Sequence, residues 1–318
     1  MPSAVNKRLT ILDIARLSGV GKSTVSRVLT NDPKVKPETR KRVEQVIDQF
    51  GYIPSKSAQS MRGGSQKVIG VIISRLDSSS ENQAVSGILA ELYQMGYDVV
   101  IMESQFNQKK TLEHLSVLKR RQVDGVILFG FSGFDTAYLK GWAQRCVVIA
   151  MESDICSSIN YDDSAVITAS MQYLTEKGLT EIAYIGVEEQ DRTTGHLRYK
   201  AYLSSCKSAN LIPNYALGQL SYESAYTRVD SVLTTGTQGI VCATDTLAFG
   251  VVKRLQELGR EDVCVTGVGG SEMLAFLFPN VFSVDPGYEQ AGRKAASILI
   301  DHIEEDADIT HLTQSPIL

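Results

Sequence analysis

No run of apolar residues in this 318-residue chain approaches the ~18 that a membrane-spanning helix needs, which argues against a helical membrane protein. The opening residues, MPSAVNKRLT, lack the apolar centre of a secretory signal, so a cytoplasmic protein is expected. Cysteine is sparse: Cys146, Cys156, Cys206, Cys242 and Cys264 are odd in number, scattered and without a CxxC pair, which predicts buried thiols rather than disulfides or zinc. The four histidines (His114, His196, His302, His311) show no metal-ligand spacing. No GxSxG elbow occurs, and VTGVGGSE at 265–272 falls short of a dinucleotide fingerprint, so no enzyme, metal or cofactor is expected. The tail after His302 carries no leucine heptads, which speaks against a coiled-coil tetramer.

What is present is ordinary for a folded chain: 43% hydrophobic and 21% charged residues, and length for two or three domains of roughly 100 to 200 residues. The net charge of -4 conceals a division. Residues 1–67 hold 13 Lys and Arg against 5 Asp and Glu, leaving 19 against 31 in the other 251. A basic head on an acidic body predicts one module that meets a polyanion and another with a different task.

The head reads as three short helices over residues 10–50. Thr10 can cap the first, whose apolar face is Ile11, Ile14 and Ala15 and which Gly19 ends. The second places Val25, Val28 and Leu29 at helical spacing. The third starts at Pro37, is expected to pack Val43, Val46, Ile47 and Phe50, and stops at Gly51. GVGKST at 19–24 imitates the end of a phosphate-binding loop, but the first glycine of that motif would fall on Arg16 and no strand precedes it. As a helix-turn-helix the same residues make chemical sense. Lys22, Ser23 and Arg27 would face outward to base edges, and Thr24 and Ser26 would offer hydroxyls to phosphates.

After the third helix, SKSAQSM at 55–61 has length for one or two helical turns before a Gly-Gly-Ser linker. So short a helix does not hold in water and needs a partner to order it. Together LTILDIARLSGVGKSTVSRVL, FGYIPS and AQSMR resemble the LacI/GalR family of bacterial repressors. The resemblance implies a hinge helix that meets the DNA minor groove through Ser57, Ala58 and Met61, with Met61 as the wedge between base steps.

From residue 68 strand-like runs (68–74, 97–104, 125–130, 147–151, then 181–187, 239–243 and 262–269) alternate with helical stretches. This alternation predicts α/β architecture: two doubly wound lobes with parallel sheets. The resemblance implies a periplasmic-binding-protein-like core, with the chain crossing between lobes near 160–164, 284–288 and 312–318. The expected division is a headpiece over 1–51, a hinge helix and linker over 52–66, and an effector-binding and dimerisation core over 67–318. Within the core the first lobe would take about 67–161 and 288–311, and the second about 162–285 with the C-terminal tail.

Ligands of open parallel sheets sit at the carboxyl ends of strands. There Arg75 precedes Ser78, Ser79 and Ser80 at a helix start, a set suited to an anion. Gly130 opens a loop with close backbone access, and Asp191, Arg192, Thr193 and Thr194 form another ahead of Arg198. Thr244, Asp245 and Thr246 mark a strand-to-helix junction, and Arg198 with Asp245 reads as a bidentate clamp for a polyhydroxylated ligand.

The runs RLDSSSEN, VIMESQF, LKRRQVDGVILFGF, CATDTLA and VDPGYEQAGR resemble family members that repress trehalose uptake and use. That implies trehalose 6-phosphate as inducer, held by Arg75, Leu76, Asp77, Ser78, Ser79, Ser80, Glu81, Gly130, Asp191 to Thr194, Arg198, Thr246 and Tyr288. Met151 stands where the resemblance leads one to expect an arginine, so one contact must be lost or supplied elsewhere. A different sugar or sugar phosphate is the alternative. A single helix-turn-helix offers little interface, so a homodimer on palindromic double-stranded operator DNA is expected, with contacts from helices flanking the first lobe.

Overall fold

A computed structural model describes residues 9–52 and 66–317, and by contacts the chain divides into two compact units, residues 1–66 and 67–318. The expected hinge residues Ser57, Ala58 and Met61 lie outside the described residues.

In the first unit, α1 (Ile11–Ser18) begins with a capping box. The Asp13 amide donates to Thr10 Oγ1 at 3.4 Å and the Thr10 amide to Asp13 Oδ2 at 2.9 Å, satisfying two orphan donors of the first turn. Gly19, left-handed at φ 63°, turns the chain into α2 (Lys22–Leu29). Pro37 opens α3 (Pro37–Phe50), and Gly51 at φ 57° ends it. Ile14, Ala15, Val25, Val28, Val43 and Tyr52 form the buried core. Phe50, expected inside, is 46% exposed. The left-handed turn at Gly51 sends the Tyr52 amide back to the Ile47 carbonyl at 3.0 Å and seats Tyr52 on the core in its place.

The second unit holds two all-parallel sheets. The first lobe contains β1 (Val68–Ile73), α4 (Ser79–Gln94), β2 (Asp98–Glu103), α5 (Gln108–Arg120), β3 (Gly125–Phe129), β4 (Cys146–Ile149) and β5 (Ser157–Tyr161). The second runs through α6 (Asp163–Glu176), β6 (Ile182–Val187), α7 (Arg198–Ala209), β7 (Asn214–Gly218), α8 (Tyr222–Arg228), β8 (Gly239–Cys242), α9 (Asp245–Glu257), β9 (Cys264–Val268), α10 (Glu272–Leu277) and β10 (Phe282–Val284). The chain returns to the first lobe for α11 (Tyr288–Glu305) and β11 (His311–Gln314). Strand order is β11-β5-β4-β3-β1-β2 in one sheet and β10-β9-β8-β6-β7 in the other.

The tail, expected with the second lobe, instead supplies the edge strand of the first. His311 pairs with Ser158 and Gln314 with Tyr161, because β5 would otherwise present an open edge. Beyond it Ile317 bridges Asp285, and the Asp162 amide donates to the Gln314 carbonyl at 3.0 Å, so the three inter-lobe segments lie side by side.

The central strands are apolar, as buried parallel strands require: every residue of β3 and β4 is buried. In the first lobe α4 and α11 pack so closely that a Cβ on Gly87 would sit 2.1 Å from the Glu289 carbonyl oxygen, and one on Gly292 1.9 Å from that of Ala84. Glycine is required at this crossing because backbone meets backbone. Four of the five thiols are buried and none is in a disulfide. Among the described residues no helix is long and apolar enough to cross a membrane.

Candidate effector cleft and DNA-contact helix

On α2, Val25 and Val28 are buried while Lys22, Ser23 and Arg27 are exposed and Thr24 and Ser26 half-buried. The amphipathic spacing that packs one face of this eight-residue helix thus leaves the five expected polar residues toward solvent. Among the described residues Arg27 has a loose ion pair, Nε to Asp32 Oδ2 at 3.8 Å, and its side chain is 64% exposed.

Between the lobes of the second unit lies a cleft of about 850 Å³, walled by the loops after β1, β3, β4 and β6 and by the inter-lobe segments. It is lined by Arg75, Ser78, Ser80, Glu81, Gly130, Met151, Asp191, Arg192, Thr193, Thr194, Arg198 and Tyr288, all expected from the sequence. Leu76, Asp77 and Ser79 are exposed and do not line it, since the turn into α4 points them away.

The expected Arg198–Asp245 clamp is not formed. Arg198 is buried and donates Nε to Asp163 Oδ1 at 2.7 Å, Nη1 to the Ala243 carbonyl at 2.6 Å and Nη2 to the Tyr288 hydroxyl at 3.4 Å. Burial works against its charge, but Tyr288 and Asp163 outweigh burial and raise its pKa. Asp245 accepts the Ser283 hydroxyl at 2.7 and 2.8 Å and the Ser271 amide at 2.8 Å. Its carboxylate therefore ties the start of α9 to β10 and to the loop after β9, and burial pushes its pKa up. Neither Asp245 nor Thr246 lines the cleft. Asp163, which sequence reasoning did not single out, is the carboxylate that meets the arginine. It heads α6 at the first inter-lobe crossing.

On the first lobe Glu81 accepts the Ser74 amide at 2.7 Å and the Arg75 amide at 3.3 Å, fastening the end of β1 to the first turn of α4. Its pKa is raised by burial against the pull of those bonds. The Arg75 Nε is buried without a hydrogen-bond partner among the described residues, with the Asp77 carboxylate 3.5 Å away. Its guanidinium lies 5.8 Å from the Phe106 ring, which meets Phe131 edge-on. Tyr161 and Tyr288 make a second aromatic pair at 4.8 Å, and burial raises the pKa of both hydroxyls. Met151 forms apolar wall: a Cβ on Gly130 would lie 2.4 Å from the Met151 Cβ, so only glycine fits beside it. Asp191 caps the turn after it, accepting the Thr194 and Gly195 amides at 2.9 and 3.4 Å.

Comparison with known proteins matches both units. A model described as bacterial regulatory proteins, lacI family, covers residues 10–55, and one described as a periplasmic binding protein-like domain covers 171–317. The chain is 47% identical over 304 residues to the HTH-type transcriptional regulator TreR of Salmonella typhimurium, spanning 96% of each. To TreR of Escherichia coli it is 48% identical over 299 residues, 94% of this chain and 95% of the other. The solved trehalose repressor of Escherichia coli superposes with a TM-score of 0.78 at 41% identity, covering 79% of this chain and 98% of that one. A lac repressor dimer bound to operator and an anti-inducer shares the fold, with a TM-score of 0.83 at 20% identity over 98% of this chain and 97% of that one. These relatives are transcriptional regulators rather than enzymes. With a helix-turn-helix unit, a two-lobed cleft and full-length relatives of this likeness, the chain belongs to the lacI family of bacterial regulatory proteins.

Proposed function

We propose that this protein represses genes for trehalose uptake and use, binds a palindromic operator as a homodimer, and is released from it by trehalose 6-phosphate. The observation that carries the reading is identity of 47–48% to TreR along nearly the whole chain, head and cleft together. Lys22, Ser23 and Arg27 would read bases, and Thr24 and Ser26 would take phosphates. Ser57, Ala58 and Met61 would enter the minor groove, and helices flanking the first lobe would join the two copies.

For the effector, a disaccharide needs aromatic faces and hydroxyl partners, which Phe106, Phe131, Tyr161 and Tyr288 with Asp163 and Arg198 supply. A phosphate needs a cation with free donors, and Arg75 beside Ser78 and Ser80 offers one. One observation favours a neutral sugar as a second reading: the lining holds Glu81, Glu152, Asp154, Asp163 and Asp191 against three arginines. Titrating trehalose 6-phosphate, trehalose and glucose 6-phosphate against a labelled operator complex decides between them. Trehalose 6-phosphate should release DNA at the lowest concentration, and glucose 6-phosphate should act poorly because it fills half the cleft. Trehalose acting at an equal or lower concentration would refute the phosphate reading.

A further inference from the structure

The loop after β4 brings two carboxylates, Glu152 and Asp154, to the cleft and no cation. An anion entering there must draw its second positive partner from the other lobe. Of the cleft-lining residues of the second lobe, Arg192 and Arg198 are the arginines. Arg198 has a side chain only 3% exposed, its charge is already met by Asp163, and three of its donors are bonded to Asp163, Ala243 and Tyr288. Arg192 is the opposite case, 71% exposed, with Nη2 3.4 Å from Glu152 Oε2. Its backbone amide also reaches the first lobe, donating to Ser132 Oγ at 2.8 Å. Arg192 is thus fastened across the cleft twice, once firmly through its backbone and once loosely through its side chain.

We infer that the Glu152 carboxylate occupies, in the empty cleft, the place on Arg192 that an anionic ligand group takes, so that Glu152 sets how strongly the cleft prefers a phosphorylated sugar over a neutral one. This rests on the sugar-phosphate reading above. An ion pair with both partners more than two-thirds exposed is weakly held and exchanges readily. A dianion can take two of the guanidinium N–H donors in shorter, charge-assisted bonds, which Glu152 at 3.4 Å does not achieve. With Arg75 on the first lobe and Arg192 on the second, the anion then bridges the lobes, while Glu152 left beside it repels it. A neutral sugar gains nothing from displacing Glu152.

The test is the ratio of Kd for trehalose to Kd for trehalose 6-phosphate, measured by calorimetry on the full chain and on Glu152→Gln and Arg192→Gln. Glu152→Gln should tighten the phosphorylated sugar about two- to fivefold, the scale of a surface charge interaction, and move trehalose far less. Arg192→Gln should weaken the phosphorylated sugar about tenfold, since the amide keeps one neutral hydrogen bond where the guanidinium made two charge-assisted ones. Both positions are exposed, and unchanged unfolding midpoints would show that the variants fold. If Glu152→Gln shifts both sugars equally, the pair is a plain cross-lobe latch and the inference is overturned. It is likewise overturned if neither variant moves the ratio while the unaltered protein prefers the phosphorylated sugar. A ratio of one or less in the unaltered protein would sink this inference and the sugar-phosphate reading together.

Discussion

Arg27→Ala is expected to lower operator affinity by about 1 to 3 kcal/mol per half-site, the worth of a bidentate contact to a guanine edge. A symmetric dimer suffers the loss twice, roughly two to four orders of magnitude in Kd. The expectation rests on local geometry. Burial of Val25 and Val28 fixes which side of α2 faces inward, and Arg27 projects from the other side with Lys22 and Ser23. Its 3.8 Å pairing with Asp32 is too loose to hold it from DNA. Arg27→Lys should retain much of the affinity, which is charge, and lose discrimination, which needs the planar fork. Effector affinity of the free protein should stay unchanged in both. A gel-shift affinity of Arg27→Ala equal to that of the unaltered protein would remove α2 from its assigned place in the groove.

The second large effect lies at the crossing between lobes. Asp163→Asn should cost about 3 to 5 kcal/mol of stability, because it leaves the Arg198 guanidinium buried without its counter-charge. The two side chains are each 3% exposed at a separation of 2.7 Å, so water cannot substitute for the lost carboxylate. Since Asp163 also lines the cleft, the surviving folded protein should respond poorly to inducer. Urea unfolding should show a lowered midpoint at constant slope, and an operator-release titration should be shifted to higher inducer. Replacing both partners with apolar residues, Asp163→Leu with Arg198→Met, should recover much of the stability and none of the response. A loss below about 1 kcal/mol in Asp163→Asn would mean that the pair is solvated and not the keystone of the crossing.

The head was legible in the sequence because its signals are local. Thr10, Gly19, Pro37 and Gly51 punctuate the three helices within a few residues of the structure's boundaries. Phe50 misled because helical spacing carries no information about residues beyond the cap: one left-handed glycine puts Tyr52 on the core instead. In the body, the seven apolar runs gave seven strands, while β5, β7, β10 and β11 passed unseen. SSINY in β5 carries buried serines whose partners are distant in sequence. Ser157 Oγ is 2.8 Å from His302 Nε2, and Ser158 Oγ 2.9 Å from His311 Nδ1. Nothing near residue 157 announces those contacts, and the polar edge strand β11 exists because β5 is there to pair with it. The cleft loops were readable from their place after strands, yet the choice between Asp163 and Asp245 was not. Both carboxylates begin helices, and only the crossing decides which one faces Arg198.

The claim that most needs measurement is that cleft and DNA-contact helix are energetically linked. Linkage requires the effector to weaken the operator and the operator to weaken the effector by one and the same factor. Calorimetric Kd values for the proposed effector, trehalose 6-phosphate, should therefore be measured on the free protein and on its operator complex, beside operator Kd values with and without saturating effector. The expected result is weaker effector binding in the complex, by the factor that effector imposes on the operator. Equal effector affinity in the free protein and the complex would contradict it, leaving a cleft and a DNA-binding unit that share a chain without regulating each other.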